Sequence, residues 1–177
     1  MPPVTTTTSA EERRPTALLL VYSWDIVRGI LALIGALSSF GGAVVVAGRT
    51  VDVSVGAQIL TALAAAALSA ALIVVGTLLT RHQAWVRRAQ IVVLVMAVLM
   101  AAGSFAVDQL TAHAGLDVGG LLGLATISLI DLVAVFAMTG PRIVAWFGQP
   151  GSVPIYVSGL VAFWAATMVA FVTVRAV

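Results

Sequence analysis

Five long apolar segments limit what this chain can fold into more than any other feature of its sequence. Each holds about 20 residues with few charges, the length that an α-helix needs to cross the hydrocarbon core of a bilayer. Lipid offers the backbone no hydrogen bonds, so helices are favoured over irregular structure in these segments. The composition agrees, because 61% of the residues are hydrophobic and 9% are charged, whereas an ordinary soluble domain has about 25% charged residues. The sequence therefore predicts an all-α integral membrane protein.

The predicted architecture is a bundle of five transmembrane helices joined by short links, which make successive helices antiparallel neighbours. The first helix begins near residue 18 or near residue 25 and ends near residue 48. The other four are predicted over 57–79, 90–110, 119–139 and 154–174. Residues 1–16 are polar and low in complexity, which predicts a disordered cytoplasmic tail ahead of a single transmembrane bundle over 17–177.

The arginines are distributed unevenly between the predicted loops, and this predicts the orientation. With five spans, seven of the nine basic residues fall on one side of the membrane and two on the other. Cytoplasmic loops carry the excess of basic residues, so we expect the N-terminus inside and the C-terminus outside. Trp24, Trp85 and Trp146 fall near the same inner side, where aromatic rings act as interface anchors.

The basic residues are all arginine, and Ala and Val are abundant. This composition indicates a bacterium with a GC-rich genome, and we therefore predict a multi-pass protein of the bacterial inner membrane.

Small residues recur at helical spacing in several of the predicted spans. Membrane helices associate by close packing at such residues, because lipid tails are as apolar as leucine. The fourth segment carries the GxxxG pair Gly119 and Gly123. The fifth carries a ridge at spacing four, formed by Ser158, Ala162, Ala166 and Ala170. These faces predict helix packing, either within the bundle or against other membrane subunits.

Asp131 is a carboxylate near the middle of the apolar fourth segment. An Asp at the bilayer centre costs about 2.5–3.5 kcal/mol on insertion scales, so such residues usually face the bundle interior and find a partner. Arg28 is the best partner within the chain, because it lies at a similar depth if the first helix begins near residue 18. Asp25, three residues before Arg28, can join the pair, and Ser128, three residues before Asp131, can donate a hydrogen bond to it.

Other interpretations of Asp131 stay open. If the first helix begins near residue 25, then Trp24, Asp25 and Arg28 are interfacial residues, with Arg28 snorkelling towards water. Asp131 is then left to Ser128, to a partner on another subunit, or to protonation. A role in proton or ion coupling is the third interpretation, although the proline residues all lie outside mid-span positions, unlike the broken helices of transporters.

Most site chemistries lack the residues that they need. The chain has no Cys and two His, and the histidines fall in predicted loops on opposite sides of the membrane. We therefore expect no metal site and no cofactor. A phosphate-binding motif and a nucleophile with a nearby base are also missing, so we expect no enzyme. Without a run of basic residues, nucleic-acid binding is not expected either.

These observations predict a non-catalytic accessory or scaffold subunit of a larger membrane complex, held by its small-residue helix faces. Its expected partners are the lipid bilayer and other membrane-protein subunits, with a lipid, quinone or carotenoid left open. The alternative is a small proton- or ion-coupled transporter, or a carrier of a lipophilic ligand, that uses Asp131.

Overall fold

The computed structural model describes residues 14–38, 43–46, 49–52, 55–111 and 118–176. Within these ranges the chain forms helices and one short antiparallel β-hairpin. In chain order the elements are α1 (Thr16–Ser38), β1 (Ala43–Val46), β2 (Arg49–Asp52), α2 (Val55–Leu78), α3 (Ala84–Thr111), α4 (Val118–Ala137), α5 (Pro141–Trp146) and α6 (Ile155–Ala176).

Four of these helices, α1 to α4, are long and apolar enough to cross a membrane. The protein is therefore a multi-pass helical membrane protein. The helix at the fifth predicted segment, α6, is present, but its described apolar stretch, Ile155–Phe171, is shorter than those of the other four. Of the five predicted spans, four are thus confirmed and the fifth stays a prediction, as does the orientation of the termini.

The predicted bounds of the first helix are wrong at its end. The helix begins at Thr16, which is close to the earlier of the two expected starts and falls inside the predicted tail. It ends at Ser38, about ten residues before the predicted end near residue 48. Gly41 and Gly42 follow in the sequence, and glycine is a poor helix former. The valines beyond them are β-branched and favour the strand β1. Residues 1–13 of the predicted tail lie outside the described residues.

Two further differences concern the links between spans. Helix α3 begins at Ala84, whereas hydropathy placed its start at residue 90. Arg and Gln are good helix formers although they are polar, so the helix continues through Arg87 and Arg88 beyond the apolar stretch. The link after α4 contains the short helix α5, which begins with Pro141, a residue whose fixed φ suits the first position of a helix.

Helix α2 lies at the centre of the bundle. It packs against α1, α3 and α6, while α4 packs mainly on α3 and also touches α1. The core is built from large apolar side chains of several helices, among them Leu72, Val75, Val93, Leu94 and Trp164. Only Asp131 and Ala134 are buried among the residues of α4. This helix therefore presents most of its surface to the outside of the bundle.

Helices α1 and α2 approach each other closely at two glycines. A Cβ added to Gly29 would lie 3.1 Å from Cγ1 of Ile73, and one added to Gly76 would lie 3.1 Å from Oδ2 of Asp25. These glycines bring the two helices together inside the chain. The predicted packing residues are placed differently: Gly119, Gly123, Ser158, Ala162 and Ala166 are exposed, and Ala170 is half-buried.

One end of the bundle gathers the links that the arginines occupy. The turn between α2 and α3 pairs with the segment after α5, through hydrogen bonds from Ala84 N to Gln149 O (3.0 Å) and from Gln149 N to His82 O (2.9 Å). Arg87 donates to the carbonyl oxygen of Met138 at 3.4 Å, which ties the start of α3 to the end of α4. We call this end, which carries Arg14, Arg81, Arg87, Arg88 and Arg142, the arginine-rich end.

Candidate functional site

The candidate site is a cluster of five polar side chains inside the helical bundle. Helix α1 contributes Trp24, Asp25 and Arg28, α3 contributes Gln90, and α4 contributes Asp131. Asp25, Gln90 and Asp131 have no exposed surface, and Arg28 is 8% exposed. We call these five residues the polar cluster. Its members on α1 share one face, because residues three and four apart stand next to each other on a helix.

Asp131 is paired with Arg28 through an ion pair between its Oδ2 and Nη1 of the guanidinium. Its other oxygen, Oδ1, accepts a hydrogen bond of 2.8 Å from the indole Nε1 of Trp24. Both carboxylate oxygens are thus engaged by groups of α1. This arrangement compensates the charge of Asp131 within the chain, as a buried charge requires.

Asp25 forms the second half of the polar cluster. Its Oδ1 accepts a hydrogen bond of 2.9 Å from Nε2 of Gln90. Its Oδ2 faces Gly76 of α2, which leaves room for the carboxylate because it has no side chain. Oδ2 of Asp25 and Oε1 of Gln90 are buried and have no hydrogen-bond partner among the described residues. The cluster therefore contains two carboxylates, one guanidinium and two unpartnered oxygen atoms.

The polar cluster lies well inside the helices, nearer to the arginine-rich end than to the opposite end. Gln90 follows the first residue of α3 by six positions, and Asp131 precedes the last residue of α4 by six. At 1.5 Å per residue, each is about 9 Å from that end of its helix. These polar groups are therefore set back inside the bundle from its arginine-rich end, where the helices shield them from water.

Buried apolar residues separate the polar cluster from the arginine-rich end. On α1 and α3 these residues lie between the cluster residues and the arginine-rich end. On α4 one lies between Asp131 and that end, and another directly follows the helix. They are Leu18, Val21, Val86, Ala134 and Met138, each at most 6% exposed. We call them the apolar layer. The side chains of this layer are apolar, so they exchange no hydrogen bonds with the polar cluster.

The structure places the remaining predicted site residues as follows. Ser128 is half-buried, and no described hydrogen bond joins it to Asp131, whose Oδ1 is engaged by Trp24 instead. Trp24, expected as an interface anchor, is therefore part of the polar cluster. Trp85, expected in the same role, is 4% exposed and donates to Oε1 of Gln83 at 2.6 Å. Its burial in the core argues against an anchor at the lipid interface. Trp146 is half-buried beside His82, with ring centroids 4.1 Å apart.

Sequence reasoning missed Gln90 and Gly76 as partners of Asp25. Gln90 stands at the predicted start of the third span, where a polar residue attracts no attention because interfaces are polar. Gly76 is one of many small residues in an Ala- and Gly-rich chain. Gln90 could have been found from the sequence because its side chain has both donor and acceptor groups. It stands at the edge of an apolar segment, at about the depth of Asp131.

Fold and site together define the class: a multi-pass α-helical membrane protein with a buried, largely self-compensated polar cluster. Among the residues that the structure describes, no group of three or more His, Cys, Asp or Glu side chains is arranged to hold a metal ion. Comparisons of the chain with protein-family models, curated proteins and solved structures found no match.

Proposed function

We propose that the chain is a non-catalytic accessory or scaffold subunit of a larger complex in the bacterial inner membrane. In this proposal α6 forms the fifth span, the N-terminus lies inside and the C-terminus lies outside. The observation that carries the proposal is the outward placement of the small-residue faces of α4 and α6.

Helix α6 has two faces of different character. Its large side chains Trp164 and Phe171 are buried, at 1% and 8% exposure, and pack towards the core. Its small residues Ser158, Ala162 and Ala166 are exposed at a spacing of four. Small residues at this spacing let the backbones of two membrane helices approach closely. Because the described part of the chain does not use this face for its own packing, the face is available to a helix of another subunit.

Helix α4 supports the same interpretation. Gly119 and Gly123 are exposed, and a Cβ added to Gly123 would meet no atom within 4 Å. The polar cluster then acts as an internal lock, since Arg28 and Trp24 of α1 hold Asp131 of α4 in register. The engagement of both Asp131 oxygens by groups of α1 favours this structural role over a pathway for protons.

The decisive experiment is to identify what co-purifies with the full chain. The tagged protein, expressed in its own bacterium and extracted in mild detergent, should bring other membrane proteins with it. Ala162→Leu should lower their recovery about tenfold, which corresponds to a loss of roughly 1.4 kcal/mol in binding free energy. Ala102→Leu is the matched control, because Ala102 is also an exposed alanine but lies on α3.

Two outcomes contradict the scaffold proposal. One is a clean, stable monomer without partners in mild detergent. The other is an equal loss of partner with Ala102→Leu, which would show that the α6 face is not the docking face.

A small proton- or ion-coupled transporter, or a carrier of a lipophilic ligand, is the second candidate. It is favoured by the excess of carboxylates over guanidinium groups in the polar cluster and by the unpartnered oxygens of Asp25 and Gln90. Liposomes that contain the purified chain should then show ion or proton flux. Asp25→Asn and Asp131→Asn should each abolish the flux while leaving the protein assembled. Absence of flux for the unmodified chain would eliminate this candidate.

The bilayer is the immediate partner in either case, and nucleic acid has no role in the proposal. No cofactor is part of it. A lipid, quinone or carotenoid bound between α4 and a neighbouring subunit is compatible with the largely apolar exposed surface of α4.

A further inference from the structure

A pocket at the arginine-rich end is independent of the polar cluster and of the proposed docking faces. It has a volume of about 1350 Å³ and is open on one side. Its walls are the start of α1, the turn between α2 and α3, and the segment from the end of α4 to Gln149. Three separate parts of the chain thus converge on one concave surface.

The pocket is lined by two arginines that have no carboxylate partner in the described part of the chain. Arg14 and Arg142 both line it, and neither forms an ion pair with a carboxylate among the described residues. No Asp or Glu stands among its lining residues; Glu11 and Glu12 precede Arg14 in the sequence and lie outside the described part of the chain. Two arginines that line one pocket, with no Asp or Glu among its described lining residues, attract an anion.

Two buried donors of the lining residues lack acceptors. Nε of Arg14 and Nε1 of Trp146 are buried and have no hydrogen-bond partner among the described residues. Such groups are rare, since buried polar atoms are usually satisfied. A ligand with several acceptor oxygens would supply what they lack.

Two carbonyl groups at or beside the pocket already accept hydrogen bonds. Gly140 N donates to Ala137 O at 3.3 Å, and Arg87 donates to Met138 O at 3.4 Å. His82 is held by a 3.1 Å contact between its Nδ1 and the carbonyl oxygen of Trp146. That contact and the tilted packing of the two rings fix the wall that carries Trp146.

We propose that this pocket binds the phosphate group of an anionic lipid headgroup. Phosphate offers acceptor oxygens in the geometry that guanidinium groups bind with two hydrogen bonds. The pocket lies at the ends of membrane-spanning helices, at the depth where lipid headgroups are found. Because the pocket is partly open, a headgroup bound in it can stay attached to its acyl chains. A free phosphate shares this chemistry, and the experiment below separates the two sources.

The test counts bound lipids by native mass spectrometry on the full chain in a neutral detergent. Phosphatidylglycerol is the probe, and phosphatidylcholine is the comparison with a phosphate but no net charge. Inorganic phosphate is the second competitor. We expect phosphatidylglycerol to bind at least tenfold more tightly than phosphatidylcholine, and millimolar inorganic phosphate to displace little of it.

Arg14→Gln and Arg142→Gln should each weaken phosphatidylglycerol binding about tenfold, since each removes a charge-assisted contact. Arg88→Gln is the matched control, because Arg88 is exposed at the same end of the bundle but does not line the pocket; it should change the affinity less than twofold. Trp146→Phe removes one donor and keeps an aromatic ring, so it tests the pocket even if an arginine variant fails to fold; it should weaken binding about threefold.

Equal losses in Arg88→Gln and Arg142→Gln would overturn the site, because they would indicate general attraction to a basic surface. Equal binding of phosphatidylcholine would overturn its selectivity for anions. Full displacement by millimolar inorganic phosphate would overturn the lipid as its source and assign a site for free phosphate.

Discussion

Arg28 and Asp131 illustrate at the scale of single residues how a membrane protein tolerates charge. Each charge alone would cost free energy inside the bilayer. Arg28 and Asp131, which are 8% and 0% exposed, neutralise each other. Removal of one partner leaves the other charge buried and unpaired, which costs about 3–5 kcal/mol in proteins. Replacement of both by apolar residues is often neutral by comparison. The consequences of single and paired substitutions therefore differ strongly.

Asp131→Asn should lower the free energy of unfolding by about 3–5 kcal/mol, because the Arg28 guanidinium loses its ion-pair partner. Exchange of the pair, with Arg28→Asp and Asp131→Arg together, should restore part of the loss. The measurement is unfolding by sodium dodecyl sulfate in mixed micelles, followed by circular dichroism. Ser128→Ala is the control and should stay within about 0.5 kcal/mol of the unmodified chain, since no described hydrogen bond joins Ser128 to Asp131. A large effect of Ser128→Ala, or no rescue by the exchange, would contradict the lock.

At the scale of helices, the chain uses its small residues in two ways. Gly29 and Gly76 allow α1 and α2 to cross closely, and Gly76 also makes space for the carboxylate of Asp25. Gly123 and Gly159 meet no other atoms within 4 Å of an added Cβ. A GxxxG spacing in the sequence does not distinguish these two situations, because it predicts the ability to pack and not the partner.

Gly76→Ala should therefore destabilise the protein more than Gly123→Ala. The added Cβ at residue 76 would stand 3.1 Å from Oδ2 and 3.3 Å from Cβ of Asp25, and overpacking of this kind costs about 1–3 kcal/mol. The same change at residue 123 meets no atom and replaces a poor helix former, so it should be neutral or stabilising by up to about 1 kcal/mol. Thermal unfolding of the two variants in the same detergent gives the comparison. Equal shifts of Tm would show that the close crossing at Gly76 is absent.

At the scale of the whole molecule, the links pack together at the arginine-rich end. The hydrogen bonds between His82, Ala84 and Gln149 place the turn after α2 and the segment after α5 side by side. Arg14 and Arg142 line one pocket with His82, so the basic residues of three separate links lie at one end. This clustering is what the positive-inside rule requires of the cytoplasmic face.

A reporter fused after Val177 should therefore read as external, and one fused into the turn at Arg81 should read as cytoplasmic. These two readings are expected if α6 crosses the membrane as the fifth span and the arginine-rich end faces the cytoplasm. An alkaline phosphatase fusion, active outside, and a green fluorescent protein fusion, fluorescent inside, give complementary signals. Cytoplasmic readings at both sites would show that α6 does not cross the membrane.

The sequence by itself determined the kind of protein and much of its secondary structure. Hydropathy over about 20 residues identifies spans because the bilayer has a fixed thickness, and it located the four confirmed ones. It did not determine where α1 ends or where α3 begins, since hydropathy does not register the glycines after Ser38 or the helix propensity of Arg87. Depth and charge also suggested Arg28 as the partner of Asp131, because no other Arg or Lys stands within a predicted span.

Only the tertiary structure decided which neighbours complete the site. Trp24 and not Ser128 donates to Asp131, Gln90 binds Asp25, and Gly76 makes room for it. These contacts join residues from different helices, and their formation depends on the rotation and offset of each helix against the next. Helical periodicity fixes which residues share a face of one helix, but an Ala- and Leu-rich surface gives several faces nearly equal packing energy. The ridge of small residues on α6 faces outward. The packing of the whole bundle decided this orientation, because helical periodicity does not say which face of a helix packs inward.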